Sequence, residues 1–100
     1  MNEPRSVYIP LEGRVAVVSG GGKGLGRSFC LALARQGARV VVNNHNRDAD
    51  ASGRVVAEIA AMGSEAVADY GDAADPGSGQ AMVAAALERW GRLDICVANA

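Results

Sequence analysis

Short apolar runs alternate along this chain with longer stretches whose apolar residues recur at helical spacing. The first run, Arg14 to Ser19, holds Val15, Val17 and Val18 between Gly13 and Gly20-Gly21-Gly22. A β-branched run bounded by glycines predicts a buried strand. From Gly24 to about Gln36 the period becomes helical, with Leu25, Phe29, Ala32 and Leu33 on one face and Gly37 as the stop. Ala38 to Asn43 contains Val40-Val41-Val42 and predicts a strand apolar enough to be covered on both faces. After the polar stretch from Asn43 to Asp50, a second helix is expected to turn Ala51, Val55, Ile59 and Met62 inward and to stop at Gly63. Glu65 to Asp69 predicts a third strand. Asp75 before Pro76 supplies a cap and a first helical residue for a third helix. Its apolar face is Met82, Val83, Ala86, Leu87 and Trp90, and Gly91 ends it. Leu93 to Ala98 predicts a fourth strand.

Strand and helix in strict alternation imply an α/β fold, a parallel sheet with right-handed crossovers and helices on both faces. The expected strand order is 3-2-1-4, the N-terminal half of a Rossmann fold. Residues 1–12 read as a tail, and nothing in residues 1–100 suggests a second domain or an internal repeat. With 49% hydrophobic and 21% charged residues the chain is an ordinary globular mixture. The net charge of −1 provides no basic field, so no nucleic-acid partner is expected. No apolar run approaches the roughly 20 residues of a membrane span, and the N-terminus does not read as a signal peptide. A cytoplasmic protein with no membrane partner is expected. Cys30 and Cys96 are isolated thiols in apolar segments, expected to be small buried side chains, with a metal site or disulfide as the alternative.

The chemistry concentrates in Ser19-Gly20-Gly21-Gly22-Lys23-Gly24-Leu25-Gly26, between the first strand and the first helix. Glycines there let the backbone turn sharply and let a diphosphate approach where a Cβ would intrude. The N–H groups and dipole of the following helix stabilise the phosphate charge. A glycine cluster by itself can be only a tight turn. Here a buried strand precedes it, an amphipathic helix follows, and a second strand ends near Asn43, where a ribose-reading residue should stand. A P-loop is excluded, because no Gly-Lys-Ser/Thr triplet is present.

Gly20, Gly24 and Gly26 fit G-x-x-x-G-x-G rather than the general G-x-G-x-x-G. With Ser19 in front, this resembles the T-G-x-x-x-G-x-G motif of the short-chain dehydrogenase/reductase family, serine keeping the hydroxyl of threonine. Ala68-Asp69-Tyr70 is similar to the place where that family contacts the adenine amino group. Gly91-Arg92-Leu93-Asp94, followed by Ile95 to Ala100, is similar to its stretch running into N-N-A-G, with Ala98 in place of the first asparagine. The resemblance spans about Leu11 to Ala100. Val40 to Asn43 and Val67 to Tyr70 look most like the (3R)-hydroxyacyl-CoA dehydrogenase branch.

The resemblance implies NAD(P) as cofactor, held by Ser19, Gly20, Lys23, Gly24, Leu25, Gly26, Asn44, Asp69, Tyr70, Asn99 and Ala100. It implies hydride transfer between that cofactor and a small-molecule carbonyl or secondary alcohol, and a homo-oligomer when complete. The family's catalytic Tyr-x-x-x-Lys is absent: Lys23 is the lone lysine, and Ser19 stands four residues before it. No catalytic residue is therefore expected within residues 1–100, and the chain reads as the cofactor-binding half of an enzyme whose catalytic half lies beyond Ala100. The alternative is a non-catalytic nucleotide-binding module complete at this length. His45 is expected to be a solvated loop residue near the adenosine ribose, and Asp94 a structural hydrogen-bonding residue. NADP(H) is favoured over NAD(H), because Asn44 replaces the ribose-reading carboxylate while Lys23 and Arg47 could meet a 2′-phosphate. Both cations as plain surface charges is the competing reading.

Overall fold

The computed structural model describes residues 10–45 and 50–99. Seven elements follow one another: β1 (Val15–Ser19), α1 (Gly24–Arg35), β2 (Arg39–Asn43), α2 (Ala51–Ala61), β3 (Ala66–Asp69), α3 (Pro76–Trp90) and β4 (Ile95–Ala98). The four strands form one sheet in the order β3-β2-β1-β4, and every pairing is parallel. Val17 stands opposite Val41 on one side and Cys96 on the other. The expected order and direction are therefore those observed.

Two apolar layers flank the sheet. On one face Val18, Val40 and Val42 pack against Cys30, Leu31 and Ala34 of α1 and Val55 and Ile59 of α2. On the other, Val15, Val17 and Val41 meet Met82 and Ala86 of α3. β1 and β2 lie in the middle of the sheet, and their valines are buried whichever way they point, which is why both strands read as unbroken apolar runs. Asp75 caps α3 by accepting the Gly77 N–H at 3.0 Å, with Pro76 as its first residue, and Gly91 ends it at φ 76. Among the described residues no helix is long and apolar enough to cross a membrane.

The helix faces differ from expectation in three places. In α1 the buried side is Gly26, Cys30, Leu31 and Ala34, whereas Leu25 is 64% and Phe29 37% exposed and Ala32 faces outward. Small residues at positions 26, 30 and 34 make up most of this buried side. The glycine loop fixes the rotation of the helix, so close approach outweighs the larger apolar side chains. Met62 follows the end of α2 as its C-cap and is 39% exposed, since the chain turns away at Gly63. Leu87 lies one residue round the helix from Ala86, which contacts the sheet, and is itself exposed.

The two cysteines diverge as well. Cys30 is buried, and burial pushes its thiol up to about 12, so it packs as a small apolar side chain. Cys96 is exposed, contrary to expectation: among the described residues β4 is an edge strand, and Cys96 alternates with the half-buried Ile95 and Val97. Cys30 belongs to the α1 side of the sheet, whereas Cys96 lines a groove with Met82 and Val83 of α3. Both remain free thiols.

Asp94 fastens β4 to β1. Its carboxylate accepts the Val15 N–H at 2.8 Å and a two-pronged contact from Arg92 at 2.9 and 2.8 Å, with Arg14 at 3.5 Å. The Arg92 bonds and then the Val15 N–H hold its carboxyl down to about 2. A free aspartate titrates near pH 3.9 (about 4) when the chain unfolds. The folded value is the lower one, so the stabilisation is complete above about pH 4 and disappears as pH falls toward 2. Asp94→Asn is expected to lower stability at neutral pH and to flatten the acid limb between about pH 4 and 2. Urea unfolding midpoints across that range check this; parallel acid limbs for wild type and variant would show that Asp94 contributes nothing.

Candidate cofactor-binding site

The glycine loop leaves β1 at its C-terminal edge and turns back into α1. Gly24, the first residue of α1, sits at φ 54, a conformation in which a Cβ would be strained. Gly26 marks a close approach: a Cβ there would lie 1.9 Å from the Gly20 carbonyl oxygen and 2.6 Å from Asn99 Nδ2. The helix start is therefore pressed against the loop. Lys23 occupies the N-cap of α1 with an extended backbone, no side chain caps the helix, and its first turn holds no acidic residue. The positive end of the helix dipole is left without a carboxylate of its own, the arrangement that favours a bound anion.

Asn43, at the end of β2, braces this loop from below. It is 1% exposed. Its Oδ1 accepts the Gly20 N–H at 3.3 Å, and its carbonyl accepts the Gly21 N–H. Its Nδ2 donates to Asp69 Oδ2 and to the Gly71 carbonyl, both at 2.8 Å. Ser19 and Asn99 tie the loop to β4: Ser19 Oγ donates to the Val97 carbonyl at 3.4 Å and accepts the Asn99 N–H at 3.0 Å. Asn99 Nδ2 donates to the Gly20 carbonyl at 3.2 Å. The loop is thus bonded directly to the ends of β2 and β4, and through Asn43 to the end of β3.

An open cavity of about 570 Å³ lies above these strand ends. Ser19, Gly20 and Lys23 line it from the loop, Asn43, Asn44 and His45 from β2, and Asp72, Ala73, Ala74 and Ala98 from the far side. Of the expected site residues, Ser19, Gly20, Lys23 and Asn44 meet here. Gly24, Leu25 and Gly26 form the adjoining start of α1. Asp69 is turned inward, its Oδ2 accepting from Asn43 and from the Gly71 N–H at 3.1 Å. Tyr70 instead donates its hydroxyl to Asp50 Oδ1 at 2.7 Å, away from the cavity lining. Ala100 and Arg47 lie outside the described residues. His45 is on the cavity wall, its Nδ1 4.0 Å from Asp72 Oδ2.

Sequence reasoning overlooked Asn43 as a brace and Asp72 as part of the wall. Asn43 carried a readable signal, since a polar residue closing an all-valine central strand must find partners when buried. Asp72 carried none, because only the path of the turn after β3 brings it to the cavity.

The family model of short chain dehydrogenases matches residues 14–100. The chain belongs to the short chain dehydrogenase family. It is 49% identical, over 92% of its length, to a peroxisomal hydratase-dehydrogenase-epimerase from Neurospora crassa, of which it covers 10%. It superposes on a short chain dehydrogenase from Mycobacterium avium with a TM-score of 0.85 at 43% identity, covering 90% of this chain and 35% of that one. A 7α-hydroxysteroid dehydrogenase complexed with NADH and 7-oxo glycochenodeoxycholic acid gives a TM-score of 0.81 at 32% identity, covering 89% of this chain and 34% of that one. The chain therefore spans about a third of these solved relatives' length and a tenth of the Neurospora protein's.

Two substitutions test the loop. Gly26→Ala forces the loop and α1 apart and is expected to destabilise the fold by about 1–3 kcal/mol. Asn43→Leu strands the Gly20 N–H and the Gly71 carbonyl, at an expected loss of about 1–3 kcal/mol for each. Urea denaturation measures both, and a wild-type midpoint for either variant would show that its contacts do not support the fold.

Proposed function

We propose that this chain is the cofactor-binding portion of an NAD(P)-dependent oxidoreductase, with the dinucleotide diphosphate lying over the glycine loop at the start of α1. The observation that carries this reading is the α1 N-terminus, uncapped by any side chain and opening beside Lys23 onto the cavity above the strand ends. Ligands of parallel α/β sheets bind at that edge. In this reading Ser19, Gly20, Gly24, Leu25 and Gly26 cradle the diphosphate and Asn44 bonds the adenosine ribose. Asp69 and Tyr70 support the adenine end, and Asn99 and Ala100 lie along the loop toward the nicotinamide. The 7α-hydroxysteroid dehydrogenase with NADH supports the cofactor class.

When bound, the dinucleotide supplies the hydride. The substrate is a small-molecule carbonyl or secondary alcohol, and residues outside this chain complete the chemistry, since the chain has no Tyr-x-x-x-Lys. A 3-hydroxyacyl thioester is the narrower reading. The likeness to a hydratase-dehydrogenase-epimerase favours it, because hydration of a double bond yields the secondary alcohol that a dehydrogenase oxidises. The proposed enzyme is a cytoplasmic homo-oligomer acting without nucleic acid or membrane.

NADP(H) is the proposed cofactor. Asn44 can bond a ribose hydroxyl without repelling a 2′-phosphate, and Lys23 lines the same cavity. A charge-assisted hydrogen bond contributes about 1.5–3 kcal/mol, roughly 10- to 100-fold in affinity. Lys23→Ala is expected to weaken NADPH by about that factor and to leave NADH almost unchanged. Calorimetric titration of both cofactors checks it. Equal losses would mean that Lys23 shapes the loop, and a wild type that binds neither cofactor overturns the function itself.

A further inference from the structure

We infer that Tyr70 is a positioning residue for the cofactor loop, acting through the carboxylate of Asp50 at the start of α2. The inference rests on the cofactor reading above and extends it to a residue that does not line the cavity.

Asp50 is held in a left-handed conformation, φ 46 and ψ 41, the one non-glycine residue with positive φ among those described. Such a backbone persists only where its surroundings fix it. Two bonds do so here. Asp50 Oδ1 accepts the Gly53 N–H at 3.2 Å, capping α2, and accepts the Tyr70 hydroxyl at 2.7 Å from the end of β3. Position 53 is glycine for the same reason: a Cβ there would stand 2.4 Å from Asp50 Oδ2 and 2.5 Å from Oδ1.

The residue after Asp50 touches the loop. Ala51 is fully buried, and a Cβ on Gly22 would lie 2.7 Å from Ala51 Cβ and 2.8 Å from Asn44 Cγ. The start of α2, the glycine loop and the ribose-facing Asn44 are therefore packed with no space for even one methyl group. In so dense a contact a displacement of one member moves the others. Ser52 Oγ also reaches from α2 to the Asp69 carbonyl, but at 3.4 Å. The Tyr70 bond is the short one, and its acceptor is a carboxylate, which strengthens it. Its hydroxyl sets where α2 begins, and α2 sets Gly22 and Asn44.

Tyr70→Phe keeps the ring and removes this bond, so NADPH affinity is expected to fall about three- to tenfold. Asp50→Asn keeps an oxygen acceptor and a left-handed-tolerant side chain, and should bind within about twofold of wild type. A double-mutant cycle on NADPH dissociation constants separates positioning from a general loss of structure. Adding Tyr70→Phe to Asp50→Ala should cost clearly less than the same change costs in wild type, since the positioning effect passes through that carboxylate. Fully additive losses, or Tyr70→Phe binding like wild type, overturn the inference. NMR hydrogen exchange at the Gly22 and Asn44 amides reads the same coupling with no cofactor present. Faster exchange in Tyr70→Phe is expected, and unchanged exchange overturns the inference even where wild type binds no dinucleotide.

Discussion

The side-chain amide of Asn43 is shut off from solvent, so its oxygen and nitrogen must be bonded inside the chain or be left at a cost of about 1–3 kcal/mol each. Meeting that requirement joins three elements. Its oxygen reaches the glycine loop after β1, and its nitrogen reaches Asp69 and Gly71 after β3. The loop cannot relax without stranding a polar atom, and neither can the turn beyond β3. The cavity above them has its shape because these three strand ends are locked to one another.

That lock has an electrostatic consequence. With Gly20 and Gly21 N–H groups directed to Asn43, the loop is carried past the strand ends and delivers the start of α1 to the cavity without a side-chain cap. Gly26 completes the arrangement by letting the helix close on the Gly20 carbonyl. The helix end and Lys23 lie on one side of the cavity, while on its wall Asp72 Oδ2 stands 4.0 Å from His45 Nδ1. In the proposed reading, stability and recognition of the cofactor's diphosphate come from the same contacts, so changes that loosen the loop should affect both.

The other strand end is fixed by charge. Among the described residues β4 pairs with β1, and Asp94 bonds the first amide of β1 while Arg92 and Arg14 lie against its carboxylate. Ser19 and Asn99 close the same pair of strands at the cavity end. Side chains thus hold β4 at both of its ends, and along it the half-buried Ile95 and Val97 alternate with the exposed Cys96 and Ala98.

The order and direction of the elements were legible in the sequence because they depend on local signals: valine runs between glycines, helical spacing, and the Asp75-Pro76 start of α3. The glycine spacing announced the loop, and the end of the second strand announced where Asn43 and Asn44 stand, since both follow from where one strand stops. Tertiary structure alone decided the rest. Which face of α1 is buried depends on how closely Gly26 approaches Gly20, a contact the apolar period of Leu25 and Phe29 does not encode. That Asp69 turns toward Asn43, and Tyr70 toward Asp50, depends on the separation of β2 from β3 and of β3 from α2. Periodicity along a chain fixes what each residue is near in its own element, but a polar side chain chooses its partner across elements, by distances that exist only after the sheet has assembled.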